Sequence, residues 1–371
     1  MTDDGFGLDH LPYGVFSVDG GPRRVGVRHG DAVVDLAAAT GRPEMDAPSL
    51  NAFLSLGPAV WHETRSQARS LAESGEHAVP LADVTLHLPF EVADYVDFYA
   101  SEHHATNVGR IFRPDGEALL PNWKHLPVGY HGRAGTVVPS GTPVVRPSGQ
   151  RPGPEGPTYG ASARLDIEAE LGFVVGVGST LGTPVPYDAF ADHVFGVVGL
   201  NDWSARDIQA WEYVPLGPFL GKSFATSVSH WVTPMEALDA AWVELPGQDP
   251  EPLSYLGPGA TRGLDIDVEI AVNGVAISHP SYRTMYWSPA QMLAHLTVNG
   301  ASLRTGDLYG SGTISGPEPE QRGSLLEIGW GDQAAFLDDG DEVVLRYSAP
   351  GTGGGRITLG EVLGRIEPAH A

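Results

Sequence analysis

The stretch Arg164-Leu-Asp-Ile-Glu-Ala-Glu-Leu-Gly172 alternates acidic and apolar residues, which is typical of a β-strand with two different faces. Side chains alternate along a strand, so Asp166, Glu168 and Glu170 would share one face. The chain also has 48 Gly and 31 Pro among its 371 residues, which favours short strands joined by turns. Further apolar runs between such turns lie at 172–178, 193–200, 264–272 and 341–347. The sequence therefore predicts a mainly β fold of the α+β class with few helices.

The acidic face has two interpretations. Three carboxylates packed together repel one another, and a hard divalent cation is one way to hold them. The other interpretation is a solvated outer face. Residues 264–272 repeat the pattern but lead into Asn273-Gly274, a strong hairpin signal, and so indicate a solvent-facing hairpin. The pattern alone leaves both open, while the glycine-rich apolar strand that follows Gly172 favours an interior position for the first segment.

The N-terminal region has its own pattern. Residues 12–37 predict strand, turn, strand, turn and strand, which indicates a small antiparallel barrel or sheet. Helical spacing follows from Ser49 to Glu73 around Pro58. An extended connection begins near residue 78. We therefore expect two domains, at 1–90 and 91–371.

Composition excludes several classes of function. The net charge of −24 argues against nucleic acid as a partner, because phosphate binding needs clustered Lys and Arg. The absence of cysteine excludes disulfides, thiolate catalysis and cysteine-bound metals, so any metal would use oxygen or imidazole ligands. An anionic substrate would need local cations at its site.

The sequence gives no sign of a membrane or of export. Residues 1–7 contain no basic segment followed by an apolar one, and no later run approaches the roughly 20 apolar residues of a membrane helix. We expect a cytoplasmic protein with no membrane partner.

A second candidate for chemistry lies around residue 202. A strand is predicted to end at Asp202 and to pass into a helix with a capping box made by Ser204 and Asp207. On that helix Arg206, Gln209 and Tyr213 have the spacing i, i+3 and i+7 and would share a face. Such a face of donors suits an oxyanion beside a metal, whereas a surface helix face would more typically mix carboxylates with cations.

The local sequence leaves the roles of three further candidates open. His103 and His104 would diverge by about 100° in a helix, so at most one is expected to be catalytic. Glu327 lies in an apolar run that predicts a strand, where a buried carboxylate needs a partner such as a histidine. Lys222 follows a glycine pair too closely spaced for a phosphate loop, and is a fixed positive charge or a surface lysine.

Four segments together resemble the fumarylacetoacetate hydrolase family: 97–109, 121–133, 201–224 and 311–320. The resemblance extends from about residue 12 to 365. It implies a small SH3-like N-terminal barrel, a catalytic β-roll and a homodimer. It also implies hydrolysis of the carbon–carbon bond of 4-fumarylacetoacetate to fumarate and acetoacetate, the last step of tyrosine and phenylalanine breakdown. The implied alternative is a related acylpyruvate or diketo-acid hydrolase, although those relatives generally lack the N-terminal barrel.

The resemblance also implies roles for individual residues. The metal ligands would be Asp97, Glu168, Glu170 and Asp202, and four oxygen ligands favour Mg²⁺ or Ca²⁺. The general base would be His104, oriented by Glu327, and the oxyanion would be stabilised by Arg206, Gln209 and Lys222. The implied substrate contacts are Tyr99, Arg113, Tyr130, Gln209, Tyr213 and Thr313. A second cation would lie at Asp202, Lys222 and Thr226, beside Ala225, which stands where a glycine is usual in the family.

Two other classes of protein fit the sequence less well. A non-catalytic metal-bound scaffold would keep the acidic residues but has no use for His104, Glu327 and the Arg206 helix face. An iron oxygenase would need two histidines and one carboxylate at its metal, which the oxygen-rich set does not offer.

Overall fold

The computed structural model describes residues 5–259 and 261–370, and short strands dominate it. In chain order the strands are β1 (Tyr13–Val18), β2 (Arg24–His29), β3 (Ala32–Asp35), β4 (Ala78–Pro80), β5 (Val84–Leu86), β6 (Tyr95–Phe98), β7 (Gly129–His131), β8 (Val137–Pro139), β9 (Val144–Val145), β10 (Ser148–Arg151), β11 (Thr158–Ala161), β12 (Leu165–Asp166), β13 (Ala169–Val175), β14 (Val194–Asp202), β15 (Ser204–Ala205), β16 (Thr226–Val228), β17 (Thr233–Pro234), β18 (Trp242–Glu244), β19 (Arg262–Leu264), β20 (Asp267–Val272), β21 (Val275–Ser278), β22 (Leu308–Gly310), β23 (Glu342–Pro350) and β24 (Arg356–Glu367). The prediction of a mainly β fold is confirmed.

Helices connect the sheets. The α-helices are α1 (Leu36–Thr40), α2 (Asn51–Leu54), α3 (Pro58–Ser74), α4 (Glu102–Phe112), α5 (Phe190–His193), α6 (Arg206–Glu212), α7 (Pro289–Thr297) and α8 (Leu325–Ile328). Short 3-10 helices lie at Leu81–Asp83, Ala134–Thr136, Tyr187–Ala189, Leu220–Lys222, Met235–Ala241, Ser254–Leu256, Tyr282–Thr284, Pro319–Gln321 and Gly331–Gln333. Across the described residues, no helix combines the length and the apolar character needed to cross a bilayer.

The N-terminal region is a five-stranded antiparallel sheet in the order β4-β3-β2-β1-β5. Asp19 and Gly20 both take positive φ, 50° and 70°, in the turn between β1 and β2, which glycine allows at no steric cost. The strands expected within residues 12–37 and the helices expected on both sides of Pro58 are therefore confirmed. β5 ends at Leu86 and β6 begins at Tyr95, while the division into 1–90 and 91–371 stays a prediction.

The centre of the molecule is an eight-stranded sheet in which β6, β22, β13, β14 and β16 are successive neighbours. Every residue of β13 and β14 is buried. Along β13, Leu171 and Phe173 belong to the largest apolar cluster, which reaches the outer sheet. Val174 instead joins the cluster that includes Tyr13 and Trp61 of the N-terminal region. The side chains of β13 thus alternate between the two apolar clusters, and Glu170 lies on the same face as Val174.

The outer five-stranded sheet has the order β21-β20-β23-β24-β9, and β20 and β21 meet at Asn273 and Gly274. This confirms the hairpin and its solvent-facing position. The acidic residues of the repeat form ion pairs near the surface instead of a cluster: Asp265 with Arg283, Asp267 with Arg356 and Glu269 with Arg346.

Candidate active site

Four buried carboxylates meet at one end of the central sheet. Asp97 lies on β6, Glu170 on β13 and Asp202 at the end of β14, while Glu168 lies just before β13. One oxygen from each lies within 4.8 Å of the others, so the four could hold a metal ion. We call this group the acidic cluster. The structure brings together all four residues expected from the resemblance.

Gly310 is the residue that lets β6 and β13 contribute to the same cluster. β22 lies between them, which separates β6 and β13 by about 9.5 Å. In register, Gly310 pairs with Asp97 on one side and with Gly172 on the other. A Cβ atom at Gly310 would lie 2.6 Å from Oδ1 of Asp97 and 2.8 Å from Oε2 of Glu170. The missing side chain therefore leaves the space in which the two carboxylates approach each other.

The acidic cluster fits a hard cation. Oδ1 of Asp97 and Oε1 of Glu170 are buried and receive no hydrogen bond from the described residues. Burial, together with the Asp202 charge, raises the pKa of Asp97 to about 8. Burial and the Asp97 charge likewise raise the pKa of Glu170 well above its usual range. Buried oxygens of this kind are costly without a partner, and an all-oxygen set suits Mg²⁺, Ca²⁺ or Mn²⁺.

Two buried cations lie beside the cluster. Nζ of Lys222 contacts Glu168 and lies 2.7 Å from Oδ2 of Asp202, while Nη2 of Arg206 lies 2.8 Å from Oε1 of Glu168. Burial alone would raise the pKa of Glu168, but the charges of Lys222, Arg206 and His104 outweigh it and hold that pKa well below the usual range. The carboxylates of Asp202 and Glu168 in turn raise the pKa of Lys222 against its burial. Lys222 is therefore a fixed buried charge rather than a surface lysine.

Asp166 does not join the cluster, although the alternating pattern put it on the same face. The strand is interrupted at residues 167 and 168, between β12 and β13, so the alternation does not continue through Asp166. Its carboxylate is fully buried and accepts a 2.8 Å hydrogen bond from Nε of Arg206. The expectation of three carboxylates on one face is wrong for Asp166 and holds for Glu168 and Glu170.

His104 lies near the N-terminus of α4 and faces the cluster. Ser101 is the N-cap, and its Oγ accepts a 3.2 Å hydrogen bond from the backbone nitrogen of His104. Nδ1 of His104 lies 2.6 Å from Oε2 of Glu327, and Nε2 lies 3.7 Å from Oε1 of Glu168. In the neutral ring Nδ1 donates to the Glu327 carboxylate, which leaves Nε2 as an acceptor. His103 is partly exposed, which agrees with the expectation that only one of the two histidines could serve the site.

Glu327 is the partner of His104, but it lies on a helix. The expectation of a strand is wrong here, because Ser324 caps the four-residue helix α8 and bends the chain into a turn. The buried carboxylate of Glu327 also accepts hydrogen bonds from Asn107 at 3.0 Å, Ser315 at 3.0 Å and Ser324 at 2.9 Å. Burial alone would raise the pKa of Glu327, but His104, Asn107 and Ser324 hold it below the usual range. The local sequence pattern did not indicate the two serines or Asn107.

α6 carries the predicted donor face, but it begins in a different way. Ser204 belongs to β15, and Ala205 is the N-cap with no side-chain cap from the described residues, so the capping box is wrong. Asp207 instead accepts hydrogen bonds from Ser162 Oγ and the Ala163 nitrogen, at 2.6 and 2.9 Å. These contacts tie the helix to the preceding hairpin.

A pocket of about 400 Å³ opens onto the cluster, and every substrate contact implied by the resemblance lines it: Tyr99, Arg113, Tyr130, Gln209, Tyr213 and Thr313. Thr313 is buried, and its hydroxyl has no hydrogen-bond partner among the residues that the structure describes. Nη1 of Arg206 donates to Oε1 of Gln209 at 3.2 Å, and the hydroxyl of Tyr130 donates to Oδ2 of Asp202 at 2.9 Å. The wall beside Arg113 is apolar, with Phe112, Leu119, Leu120, Trp123 and Val128.

The residues expected at a second cation also lie together. Oγ1 of Thr226 donates to Oδ1 of Asp202 at 3.2 Å, whereas Lys222 donates to the other oxygen, Oδ2. The ammonium group thus already lies beside Asp202 as a positive charge. Ala225 is buried next to this group.

Comparison with known families identifies the family of the chain. The description "Fumarylacetoacetate (FAA) hydrolase C-terminal" matches residues 94–366, and "Fumarylacetoacetase N-terminal" matches residues 9–89. The chain belongs to the fumarylacetoacetate hydrolase family. Within this family it is 46% identical to fumarylacetoacetase from Homo sapiens over 408 residues, which cover 99% of this chain and 97% of that protein. Fumarylacetoacetase from Bos taurus is 45% identical over the same length, with the same coverage.

Two solved structures share the fold. A fumarylacetoacetate hydrolase from Exiguobacterium antarcticum has a TM-score of 0.62 at 19% identity, covering 96% of this chain and 99% of that one. A maleylpyruvate hydrolase from Sphingobium, solved with manganese and pyruvate, has a TM-score of 0.57 at 18% identity, covering 96% and 100%. At these identities the likeness supports the fold alone.

Proposed function

We propose that this protein hydrolyses the carbon–carbon bond of 4-fumarylacetoacetate to give fumarate and acetoacetate. The observation that carries the proposal is the position of Nε2 of His104, an acceptor that faces the acidic cluster beside Arg206 and Lys222. Near full-length similarity to fumarylacetoacetases supports the choice of substrate. The match of residues 9–89 to "Fumarylacetoacetase N-terminal" counts against the alternative, a related acylpyruvate or diketo-acid hydrolase.

The acidic cluster would hold one divalent cation, for which we propose Mg²⁺ or Ca²⁺. When bound, this cation supplies Lewis-acid polarisation of the diketone oxygens. Its ligands would be Asp97, Glu168, Glu170 and Asp202, whose oxygens already lie within 4.8 Å of one another. A second cation near Asp202, Lys222 and Thr226 stays a prediction. The ammonium group of Lys222 already pairs with Asp202 there and would repel another positive charge.

His104 would act as the general base on water. Oε2 of Glu327 accepts a hydrogen bond from Nδ1–H and so fixes the tautomer that presents Nε2 to the pocket. One proton of the water goes to Nε2 while the oxygen forms a bond to the carbonyl carbon of the fumaryl group. Asn107, Ser315 and Ser324 hold Glu327 in place. The base is therefore oriented before substrate arrives.

Arg206, Gln209 and Lys222 would stabilise the negative charge that develops on the attacked oxygen. Arg206 and Lys222 are each about 4% exposed, so their charges act in a poorly hydrated site where they are effective. When the carbon–carbon bond breaks, its electron pair goes to the acetoacetate carbon. The proton held by His104 returns to that carbon, which completes the methyl group of acetoacetate.

Arg113 and the tyrosines would bind the carboxylates of the substrate. The overall charge of −24 repels a dianionic ligand, so local donors have to offset it. Arg113 lies at the pocket wall, where its Nη2 donates to the carbonyl of Ala118 at 2.8 Å and its Nε to that of Glu117 at 3.4 Å, which leaves Nη1 for a ligand. Tyr99, Tyr130 and Tyr213 add hydroxyl groups around the same space.

The decisive assay follows the ultraviolet absorbance of the diketone. Loss of the absorbance of fumarylacetoacetate, much faster than that of an acylpyruvate, is expected with Mg²⁺ present and should stop after chelation. His104→Ala should abolish turnover while leaving cation affinity intact, and His103→Ala is the matched control at the neighbouring position. Full turnover by His104→Ala would refute the proposed base, and preference for the acylpyruvate would favour the alternative.

We also propose a homodimer in the cytoplasm. Residues 211–220 expose large apolar side chains next to the pocket mouth, and Leu216 among them is 96% exposed. A second copy of the chain would remove this surface from water. Light scattering after size exclusion should give twice the mass of the chain, and Leu216→Lys with Phe219→Glu should weaken the association. Cell fractionation tests the location.

A further inference from the structure

Asp166 makes four hydrogen bonds that join two separate parts of the site. Its Oδ2 accepts from Nε of Arg206 at 2.8 Å and from the backbone nitrogen of Leu326 at 3.1 Å. Its Oδ1 accepts from the backbone nitrogens of Leu325 at 2.8 Å and Ile167 at 2.7 Å. A carboxylate has about four acceptor positions, so the protein itself occupies them all. Asp166 therefore has no capacity left for a cation.

The two parts it joins both depend on it for their position. α8 has only four residues, and a helix of that length is not stable by itself. Its unpaired N-terminal N–H groups need acceptors, and Asp166 supplies them at Leu325 and Leu326. The same carboxylate accepts a hydrogen bond from the side chain of Arg206, the first residue of α6. The guanidinium group of Arg206 also contacts Glu168.

We propose that Asp166 is a positioning residue that fixes Arg206 and Glu327 relative to each other. This inference rests on the proposed function, in which Arg206 stabilises the oxyanion and Glu327 orients the base. Through one buried carboxylate, the oxyanion donor and the carboxylate behind His104 share a common anchor. Displacement of Asp166 therefore disturbs both the donor and the base, without changing any ligand of the acidic cluster.

The first test compares Asp166→Asn with wild type in steady-state kinetics and in Mn²⁺ titration calorimetry. The amide keeps the volume but loses the charge and one acceptor oxygen, so kcat should fall about 10- to 100-fold. KM and Mn²⁺ affinity should change far less than kcat, because the substitution replaces no substrate contact and no ligand of the acidic cluster. The matched control is Asp265→Asn. Asp265 lies in residues 264–272, which have the same acidic alternation, and pairs with Arg283 near the surface, so its substitution should leave kcat unchanged.

Coupling between the two parts is tested by double variants. Asp166→Asn combined with Arg206→Gln, or with Glu327→Gln, should lower kcat by less than the product of the single effects, because each pair loses one shared alignment. Fully multiplicative effects in both combinations would overturn the proposal. A wild-type kcat in Asp166→Asn, or a loss of Mn²⁺ affinity that matches the loss of kcat, would also overturn it.

A readout independent of turnover separates this inference from the proposed function. Backbone hydrogen exchange in Asp166→Asn should accelerate both at 206–212 and at 325–328, and not in the outer hairpin at 267–278. If wild type does not cleave fumarylacetoacetate but exchange accelerates at both segments, the positioning role stands and the proposed function fails. If Asp166→Asn and Asp166→Ser both fail to fold, Asp166 is a folding residue and the positioning role is overturned.

Discussion

Replacing Gly310 by alanine should disable the acidic cluster without altering any of its carboxylates. The new Cβ would lie 2.6 Å from Oδ1 of Asp97 and 2.8 Å from Oε2 of Glu170, whereas ordinary contact begins at 3.4 Å. The two oxygens would have to move by about 0.8 and 0.6 Å, several times the roughly 0.2 Å tolerance of a metal–ligand distance. Gly310 does not have a positive φ, so the backbone itself accepts alanine.

The expected loss of cation affinity follows from the displacement of two of the four ligands. Cation affinity should fall at least about 100-fold, which corresponds to about 2.7 kcal/mol, and turnover should fall with it. Titration calorimetry with Mn²⁺ measures the affinity, and the diketone assay at saturating Mg²⁺ measures the turnover. Thermal unfolding of the metal-free protein shows whether the variant is folded.

The matched control for this experiment is Gly172→Ala. Gly172 is the cross-strand partner of Gly310, and its Cβ would meet Leu308 at 2.8 Å and Val198 at 3.0 Å, which are apolar groups. It should lower the stability through the same kind of crowding but leave Mn²⁺ affinity unchanged. Wild-type affinity in Gly310→Ala, or an equal loss in both variants, would refute the argument that the missing side chain shapes the cation site.

Four other outcomes are expected. Glu327→Gln should lower kcat about 10- to 100-fold with unchanged Mn²⁺ affinity, since it disturbs the orientation of His104 and not the cluster; kinetics and calorimetry check this. Lys222→Met should lower the free energy of unfolding of the metal-free protein by about 3 to 5 kcal/mol, because it leaves buried Glu168 and Asp202 without the ammonium group that pairs with them. Denaturant titration with EDTA measures this loss, and saturating Mg²⁺ should reduce it. Apparent Mn²⁺ affinity should rise from pH 6 to pH 8 and level off above, because the raised pKa of Asp97, about 8, keeps on that carboxyl a proton that the cation must displace. By linkage the contribution of Asp97 to the stability of the metal-free protein should fall as pH rises from about 4 towards 8, since its pKa is higher folded than unfolded, and thermal unfolding at several pH values tests this sign.

Much of the fold could be predicted from periodicity, because strands and turns are encoded over short distances. The meander at 12–37, the helices around Pro58, the strand that ends at Asp202 and the hairpin at Asn273 and Gly274 all appear where the pattern puts them. The errors lie where a single buried contact overrides the local preference. Ser204 pairs in a strand instead of capping α6, and Glu327 lies on a helix because Ser324 and Asp166 cap that turn.

The sequence by itself determined that no thiolate serves the site, that Glu168 and Glu170 alternate onto one face of a strand, and which family the chain resembles. It could not decide between an acidic cluster and a solvated acidic face, since residues 164–172 and 264–272 have the same pattern. Only the tertiary structure decided this, because the difference lies in which strands become neighbours. Gly310 lies between the strands of Asp97 and Glu170, while the second acidic strand lies in the outer sheet among arginines. Contacts between residues more than a hundred positions apart, such as His104 with Glu327 and Asp166 with Leu325, leave no periodic signal in the chain.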